Sequence, residues 1–402
     1  MDLAQRKRKI HESFEARYGV APSCWVRAPG RVDLMGSHTD YNEGFVMTLS
    51  IDRDTWIAAA PRQDDRVHVE SMNLEGECEF STRDILRQRS EHWPMYVQGV
   101  AHVLQSEGFP ISPCDALVHG TVPVRGGLSS SSSLEAATAV LLEELGGFQL
   151  EKLRMAVACQ RAENEVVGMN CGILDQYSSI LGASDSAVLL DCRHLTHEYV
   201  QFPADLRVVI CNTCAPRQLT GSEYGDRRAA CEQGVRVLKE ISETVVALRD
   251  VTIDDLDRYE QKLSPVVARR CRFIIEENDR VHALAAAFLQ NDRDAVERLS
   301  RQSFEGARDL YEISVPAMDA MIAAMRNATG VVGARQAGAG FGGCMLAFVD
   351  ADQVEDFIAG AASVYEKNTQ IVPQIFPVET APGAGRGKRC CDEQTRRCEN
   401  GS

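Results

Sequence analysis

Three clusters in the 402-residue chain carry side chains suited to chemistry. The first runs from Arg27 to Gly44 and holds Arg31, Ser37, His38 and Asp40 in a stretch too polar for a core. Donors and acceptors so concentrated suit a polyhydroxylated ligand. The second is Pro123-Val124-Arg125-Gly126-Gly127-Leu128, then Ser129, Ser130, Ser131, Ser132 and Ser133, then Leu134-Glu135. Backbone N–H groups at the start of a helix, at the positive end of its dipole, grip phosphate. Gly126 and Gly127 allow the backbone close to phosphate oxygens, and serine hydroxyls are neutral ligands for Mg²⁺. The third, Glu163 to Gln176, brackets a glycine turn with two acids, Glu163 and Asp175. Such a turn can bring one acid to a metal and the other to a reacting hydroxyl. On pattern alone, a solvated Glu163 and a helix-start Asp175 that favours the dipole is the better reading.

Other patterns carry less. The serine loop lacks GxxxxGK[ST] and is no Walker-type P-loop. Gly338 to Gly343 fits the letters GxGxxG, but it comes late and lacks an acid at the expected spacing. A close backbone approach explains it better than a dinucleotide site. Cys211-Asn212-Thr213-Cys214 has no second ligand pair for zinc, and His194 and His197 precede Glu198 without the HExxH order.

Apolar periodicity sets the elements that must position these clusters. A polar helix is expected over residues 1–18, and strands over 25–62 and 66–80. A helix at 93–105 and a strand at 116–124 lead into the serine loop, whose helix runs over 133–145 to Gly146-Gly147. Helices are expected at 150–167 and 172–181, with strands at 187–190 and 206–211. Helices then dominate at 224–248, 265–290, 293–312 and 315–328, before strands return around the glycine-rich loop 337–343 and near 371–377. The fold class is α+β in two lobes, residues 1–205 and 206–382. The polar, cysteine-bearing stretch 383–402 reads as a disordered tail.

Composition limits the partners. Hydrophobic residues at 44% and charged ones at 25% are globular values. A net charge of −15 argues against nucleic acid. No stretch is apolar for long enough to span a bilayer, and the basic start lacks the apolar region of a secretory signal. The fourteen scattered cysteines read as thiols of a reducing cytoplasm.

At these clusters the sequence resembles the GHMP small-molecule kinases, and within them the galactokinases. Residues 30–42 are similar to the galactokinase signature GRVNLIGEHTDYN, and 126–135 to the phosphate loop GGLSSSASLE. Gly338 to Gly343 is similar to the third, glycine-rich motif; WPMYVQG at 93–99, residues 162–176 and Ser222-Glu223-Tyr224 also match in order. The resemblance implies ATP and sugar in a cleft between lobes, with phosphate going to the sugar's C1 hydroxyl. By position, Asp175 is the base and Arg31 stabilises it and the transferring phosphoryl group. Ser131 and Glu163 hold Mg²⁺. Ser37, His38, Asp40, Gly172 and Tyr224 line the sugar; Trp93, Tyr96 and residues 126–133 line the nucleotide. A cytoplasmic monomer is implied. A non-catalytic sugar sensor and a mevalonate or homoserine kinase are the competing readings, disfavoured by the complete phosphate loop and the His38-to-Asn42 run.

Three positions depart from that signature. Asp33 replaces Asn, read as a structural change, and Ser132 replaces Ala. Ser37 replaces a glutamate that in galactokinases reaches the sugar's C6 hydroxyl. A site without that partner discriminates less for the hydroxyl, which opens L-arabinose and galacturonate as alternatives to galactose.

Overall fold

The computed structural model describes residues 2–387 apart from 88, 125, 217–222 and 241–242. Its first part begins with α1 (Leu3–Tyr18), opened by a capping box between Asp2 and Gln5 and closed at Gly19, φ 71°. Strands β1 (Cys24–Met35), β2 (Phe45–Pro61), β3 (Arg66–Ser71) and β4 (Glu77–Ser81) follow, then α2 (Pro94–Ser106) and β5 (Cys114–Gly120). The serine loop feeds α3 (Ser130–Gly146); α4 (Lys152–Arg161) runs into a π-helical turn over Ala162–Val167, and α5 (Leu174–Leu181) precedes β6 (Ser186–Asp191) and β7 (Thr196–Gln201). The sheet order is β1-β2-β5-β3-β4, with β6 also on β2 and β7 on β6. Among the described residues only the β3–β5 pair of this sheet is parallel.

The second part holds β8 (Leu206–Asn212), α6 (Glu223–Lys239), α7 (Ile253–Tyr259), α8 (Pro265–Gln290), α9 (Arg293–Asp309) and α10 (Pro316–Arg326). It ends with β9 (Val331–Gln336), β10 (Cys344–Asp350), α11 (Val354–Thr369) and β11 (Gln374–Val378), and the chain returns to the first sheet as β12 (Gly385–Arg386). This smaller sheet is antiparallel, in the order β11-β8-β10-β9.

One face of the larger sheet is sealed by α1, whose Ile10 and Phe14 pack on Trp25, Trp56 and Leu117. The other carries α2 to α5 over a core that includes Val100, Leu104, Ala137, Leu141, Ala158 and Tyr177. The later half of β1 leaves that core. Val32 and Leu34 join Met47, Leu49 and Leu128 in a cluster with Ile210, Val281, Leu284, Leu346 and Phe348 of the second part. The first signature segment therefore lies at the seam between the two sheets. Register shifts at Pro29/Arg31 and Asp33/Met35 bend β1 there, and such bulges re-aim side chains next to functional sites.

The sequence reading differs in several places. The helix expected over 150–167 changes to π-helical pitch at Ala162, and the one over 224–248 stops at Lys239. Strand β7 and helix α11 were not expected, whereas β9 and β10 flank the glycine-rich loop as expected. Phe357, Ala361 and Tyr365, buried at four-residue intervals, are the periodic signal of α11. Residues 385–386, assigned to the tail by composition, pair with Val26 and Arg27 of β1; the rest of that tail, from 388, lies outside the described residues.

Candidate active site

Arg31, just past the first bulge of β1, is nearly buried, and its Nε donates to Asp175 Oδ1 at 2.8 Å. Its Nη2 donates to the same oxygen. Its Nη1 reaches the carbonyl of Gly127 at 2.8 Å. One guanidinium thus ties the acid in the first turn of α5 to the phosphate loop, while Asp175 Oδ2 takes no hydrogen bond among the described residues. The loop also approaches β1 through its backbone, since Arg31 N–H donates to Leu128 C=O at 3.2 Å. A Cβ on Gly30 would lie 2.8 Å from that carbonyl, so only glycine fits.

The loop turns through two left-handed residues, Gly127 at φ 78° and Ser129 at φ 60°. Ser130 and Ser131 stand half-buried at the start of α3, beside its unpaired N–H groups. Ser132 and Ser133 are fully enclosed. Ser133 Oγ bonds Ala28 C=O at 2.9 Å and Thr55 Oγ1 at 2.8 Å, so this serine anchors the helix to the sheet. Trp93, expected at the nucleotide, is buried with its indole N–H on Glu75 C=O at 2.9 Å. Tyr96 is half-buried, and burial together with Glu163 and Glu135 pushes its hydroxyl up to about 12.

The π-helical turn aims Glu163 inward. Its Oε2 accepts from Gln176 Nε2 at 2.5 Å and Cys171 Sγ at 3.4 Å. The same amide nitrogen donates to Glu135 Oε2 at 3.0 Å, and Glu135 Oε1 is buried without a partner. Burial, reinforced by Asp175, raises Glu163 to about 7, against the pull of Cys171, Gln176 and Ser131. Burial and Glu163 hold Glu135 well above the usual range. Two enclosed carboxyls with an orphaned oxygen fit a neighbouring cation. No cluster of three or more His, Cys, Asp or Glu ligands exists among the described residues. A divalent ion here would complete its shell with phosphate oxygens and water, as Mg²⁺ does.

Among the residues expected at the sugar, Asp40 packs against Gly172 so closely that a Cβ there would fall 1.9 Å from Asp40 Oδ2. Burial raises Asp40 to about 6, with Asp175 and Asp33 adding to the rise. Tyr224 feels both Asp40 and Asp175, and burial drives its hydroxyl far upward. These residues and Asp175 therefore converge. His38 sits at φ 68° with Nδ1 on Tyr41 Oη at 2.8 Å and Nε2 on Ala339 C=O at 3.0 Å. Both ring nitrogens are engaged, and burial lowers its pKa to about 4, so the ring is neutral. Ser37 is 2% exposed; its hydroxyl donates to Asp33 Oδ2 at 2.8 Å and accepts from Arg335 Nη2 at 2.9 Å. The glycine-rich loop closes the site. Ala339 meets His38, and a Cβ on Gly338 would lie 3.4 Å from Gly127 C=O, so the third motif touches both others.

Known proteins are similar to this chain. The galactokinase galactose-binding signature matches residues 12–61, the GHMP kinase N-terminal domain 95–183 and the GHMP kinase C-terminal domain 284–367. The galactokinase of Chloroflexus aurantiacus is 38% identical over 94% of this chain and 96% of its own length. That of Roseiflexus sp. is likewise 38% identical, with the same coverage of both chains. The chain belongs to the galactokinase family. A crystal structure of Lactococcus lactis galactokinase with galactose superposes with a TM-score of 0.89 at 31% identity, covering 94% of this chain and 99% of that one. The mevalonate kinase of Methanococcus jannaschii, at 14% identity and a TM-score of 0.62, shares the fold.

Within this galactokinase-family site, several buried residues escaped the sequence reading. Gln176 lies inside a recognised motif, and Glu135 ends the phosphate-loop motif. Arg335 and Glu277, both fully buried, sit in stretches with no distinguishing pattern. Arg335 touches Ser37, the Asp33 carbonyl at 3.2 Å, Ser303 and Glu277.

Proposed function

We propose that this protein transfers the γ-phosphoryl group of ATP to the C1 hydroxyl of galactose, giving galactose 1-phosphate and ADP. The observation that carries this is the Arg31–Asp175 pair, fixed to the phosphate loop through Gly127 on one side and close to Asp40 on the other. Asp175 Oδ2 takes the proton of the C1 hydroxyl as that oxygen bonds to the γ-phosphorus and the bond to ADP breaks. Arg31 keeps Oδ1 engaged, so the base presents one oxygen to the sugar, and its positive charge lies beside the phosphoryl group in transfer.

Asp40 and Tyr224 bind sugar hydroxyls, with Gly172 leaving room for Asp40. Backbone N–H groups at the start of α3 and the Ser130 and Ser131 hydroxyls receive the ATP phosphates. Glu163 and Ser131 would hold Mg²⁺, which neutralises phosphate charge in such transfers. Asp175→Asn tests the assignment. Turnover falls by about 10² to 10⁴ while galactose binding, measured by calorimetry, is kept; near-wild-type turnover would show that the base lies elsewhere.

A further inference from the structure

Two turns from different parts of the chain exchange side chains beside the first signature segment. The turn between β6 and β7 supplies Asp191 and Arg193; the short 3₁₀ turn Leu248–Asp250, between α6 and α7, supplies Arg249 and Asp250. Arg193 donates through Nη1 and Nη2 to the two oxygens of Asp250 at 2.7 and 2.8 Å. Arg249 places both of its Nη groups on the carboxylate of Asp191, Nη2 at 2.8 Å. Each turn therefore gives one arginine and one aspartate to the other. Isolated surface ion pairs contribute little, but bidentate pairs joined in a network are the exception, and these four side chains are only 14–25% exposed.

Both arginines also reach a common residue, Glu43. Arg193 Nε donates to Glu43 Oε2 at 2.6 Å, and Arg249 Nη1 donates to the Glu43 carbonyl at 3.1 Å. The Arg249 guanidinium carbon lies 4.1 Å from the centre of the Phe45 ring. Glu43 closes the 3₁₀ turn Asp40–Asn42: its N–H donates to Asp40 C=O at 3.2 Å, and its backbone is left-handed at φ 56°. Residues with a side chain rarely take that conformation unless their surroundings hold them there. The next residue is held as well, since Cys192, between Asp191 and Arg193, donates its N–H to Gly44 C=O at 3.0 Å.

We propose that Arg193 and Arg249 are positioning residues for the carboxylate of Asp40. They clamp Glu43 in its left-handed conformation from both parts of the chain, and so fix the turn that carries Asp40. This rests on the reading of Asp40 as a sugar ligand. Neither arginine bonds Asp40 itself among the described residues; both act through Glu43. Without Arg193, the carboxylates of Glu43 and Asp250 lose the cation they share and repel each other, which loosens the turn.

The test is steady-state kinetics of wild type, Arg193→Met, Arg193→Lys, Glu43→Ala, the double variant Arg193→Met/Glu43→Ala and Asp40→Asn. Galactose is varied at saturating Mg-ATP, and the melting temperature of each protein is recorded. Arg193→Met is expected to raise galactose KM about fivefold or more, with kcat and KM for ATP within about twofold of wild type. Arg193→Lys keeps a cation within reach of Glu43 and recovers at least half of that rise. Glu43→Ala raises galactose KM too, and the double variant is no worse than Arg193→Met, because both changes remove one contact. A galactose KM unchanged in folded Arg193→Met, while Asp40→Asn raises it, would overturn the proposal. Equal rises in KM for galactose and ATP, or rises that multiply in the double variant, would overturn it as well. Should Arg193→Met not fold, Glu43→Ala tests the same contact at a side chain 43% exposed, and an unaltered galactose KM there overturns the proposal equally. A galactose KM unchanged in Asp40→Asn defeats the reading of Asp40 itself, an outcome distinct from all of these.

Discussion

Asp40 carries a conflict between binding and stability. Its carboxyl is raised from 3.8 to about 6 chiefly by burial, so the ligand-free fold binds a proton more readily than the unfolded chain does. Stability therefore falls as pH rises through that interval: the burial cost is absent below about pH 4 and fully present above about pH 6. Asp40→Asn should raise the melting temperature of the ligand-free protein at pH 7.5, with the gain gone below pH 4, and should raise galactose KM at least tenfold. For wild type, kcat/KM for galactose should decline below about pH 6 as Asp40 protonates. A flat profile from pH 5 to 8 would show that this carboxylate does not bind the sugar. Gly172→Ala places a methyl group 1.9 Å from Asp40 Oδ2 and should abolish galactose binding in calorimetry while leaving ATP binding in place. At this scale local sequence alone did not single out the candidate residues. Arg31, Glu163 and Asp175 were singled out by the family resemblance rather than by pattern alone; the direction in which His38 and Ser37 spend their hydrogen bonds is decided by Ala339 and Arg335, some 300 residues away.

The elements explain why the serine run is not five equivalent ligands. Helix α3 starts at Ser130, where Ser130 and Ser131 are half-buried, while Ser132 and Ser133 are enclosed and Ser133 bonds the sheet. Ser133→Ala removes bonds to Ala28 and Thr55 and should destabilise by about 1–2 kcal/mol in urea unfolding, with KM for ATP near wild type. A large rise in KM for ATP would mean that this hydroxyl faces the nucleotide instead. Long amphipathic elements such as α8, which begins at Pro265 behind a Ser264 cap, could be read to the residue because cap and periodicity agree. The π-helical turn at Glu163 could not, because a single six-residue turn at a helix end is too short to imprint a period of its own. The short edge strand β12 was hidden for another reason: Gly385 and Arg386 have no strand propensity, and pairing with β1 alone makes them a strand.

Over the whole molecule, three motifs separated by up to some 300 residues meet where the two sheets join, and Arg335 fastens that junction. It reaches from β9 to Asp33 and Ser37 in the first signature segment and to Glu277 in α8. Arg335→Met should destabilise the fold by about 3–5 kcal/mol, because Glu277 and Asp33 lose a buried counter-charge; a change under 1 kcal/mol in urea unfolding would show the cluster to be dispensable. No helix among the described residues is long and apolar enough to cross a membrane. The central claim is a phosphoryl transfer to the anomeric oxygen of galactose, and it is tested most directly by ³¹P and ¹³C NMR of the product formed from ATP, Mg²⁺ and galactose. Phosphorus coupled to C1, with one ADP released per sugar consumed and the signal lost in Asp175→Asn, is the predicted result. Phosphorus on C6, or no sugar phosphate formed at all, would contradict the account.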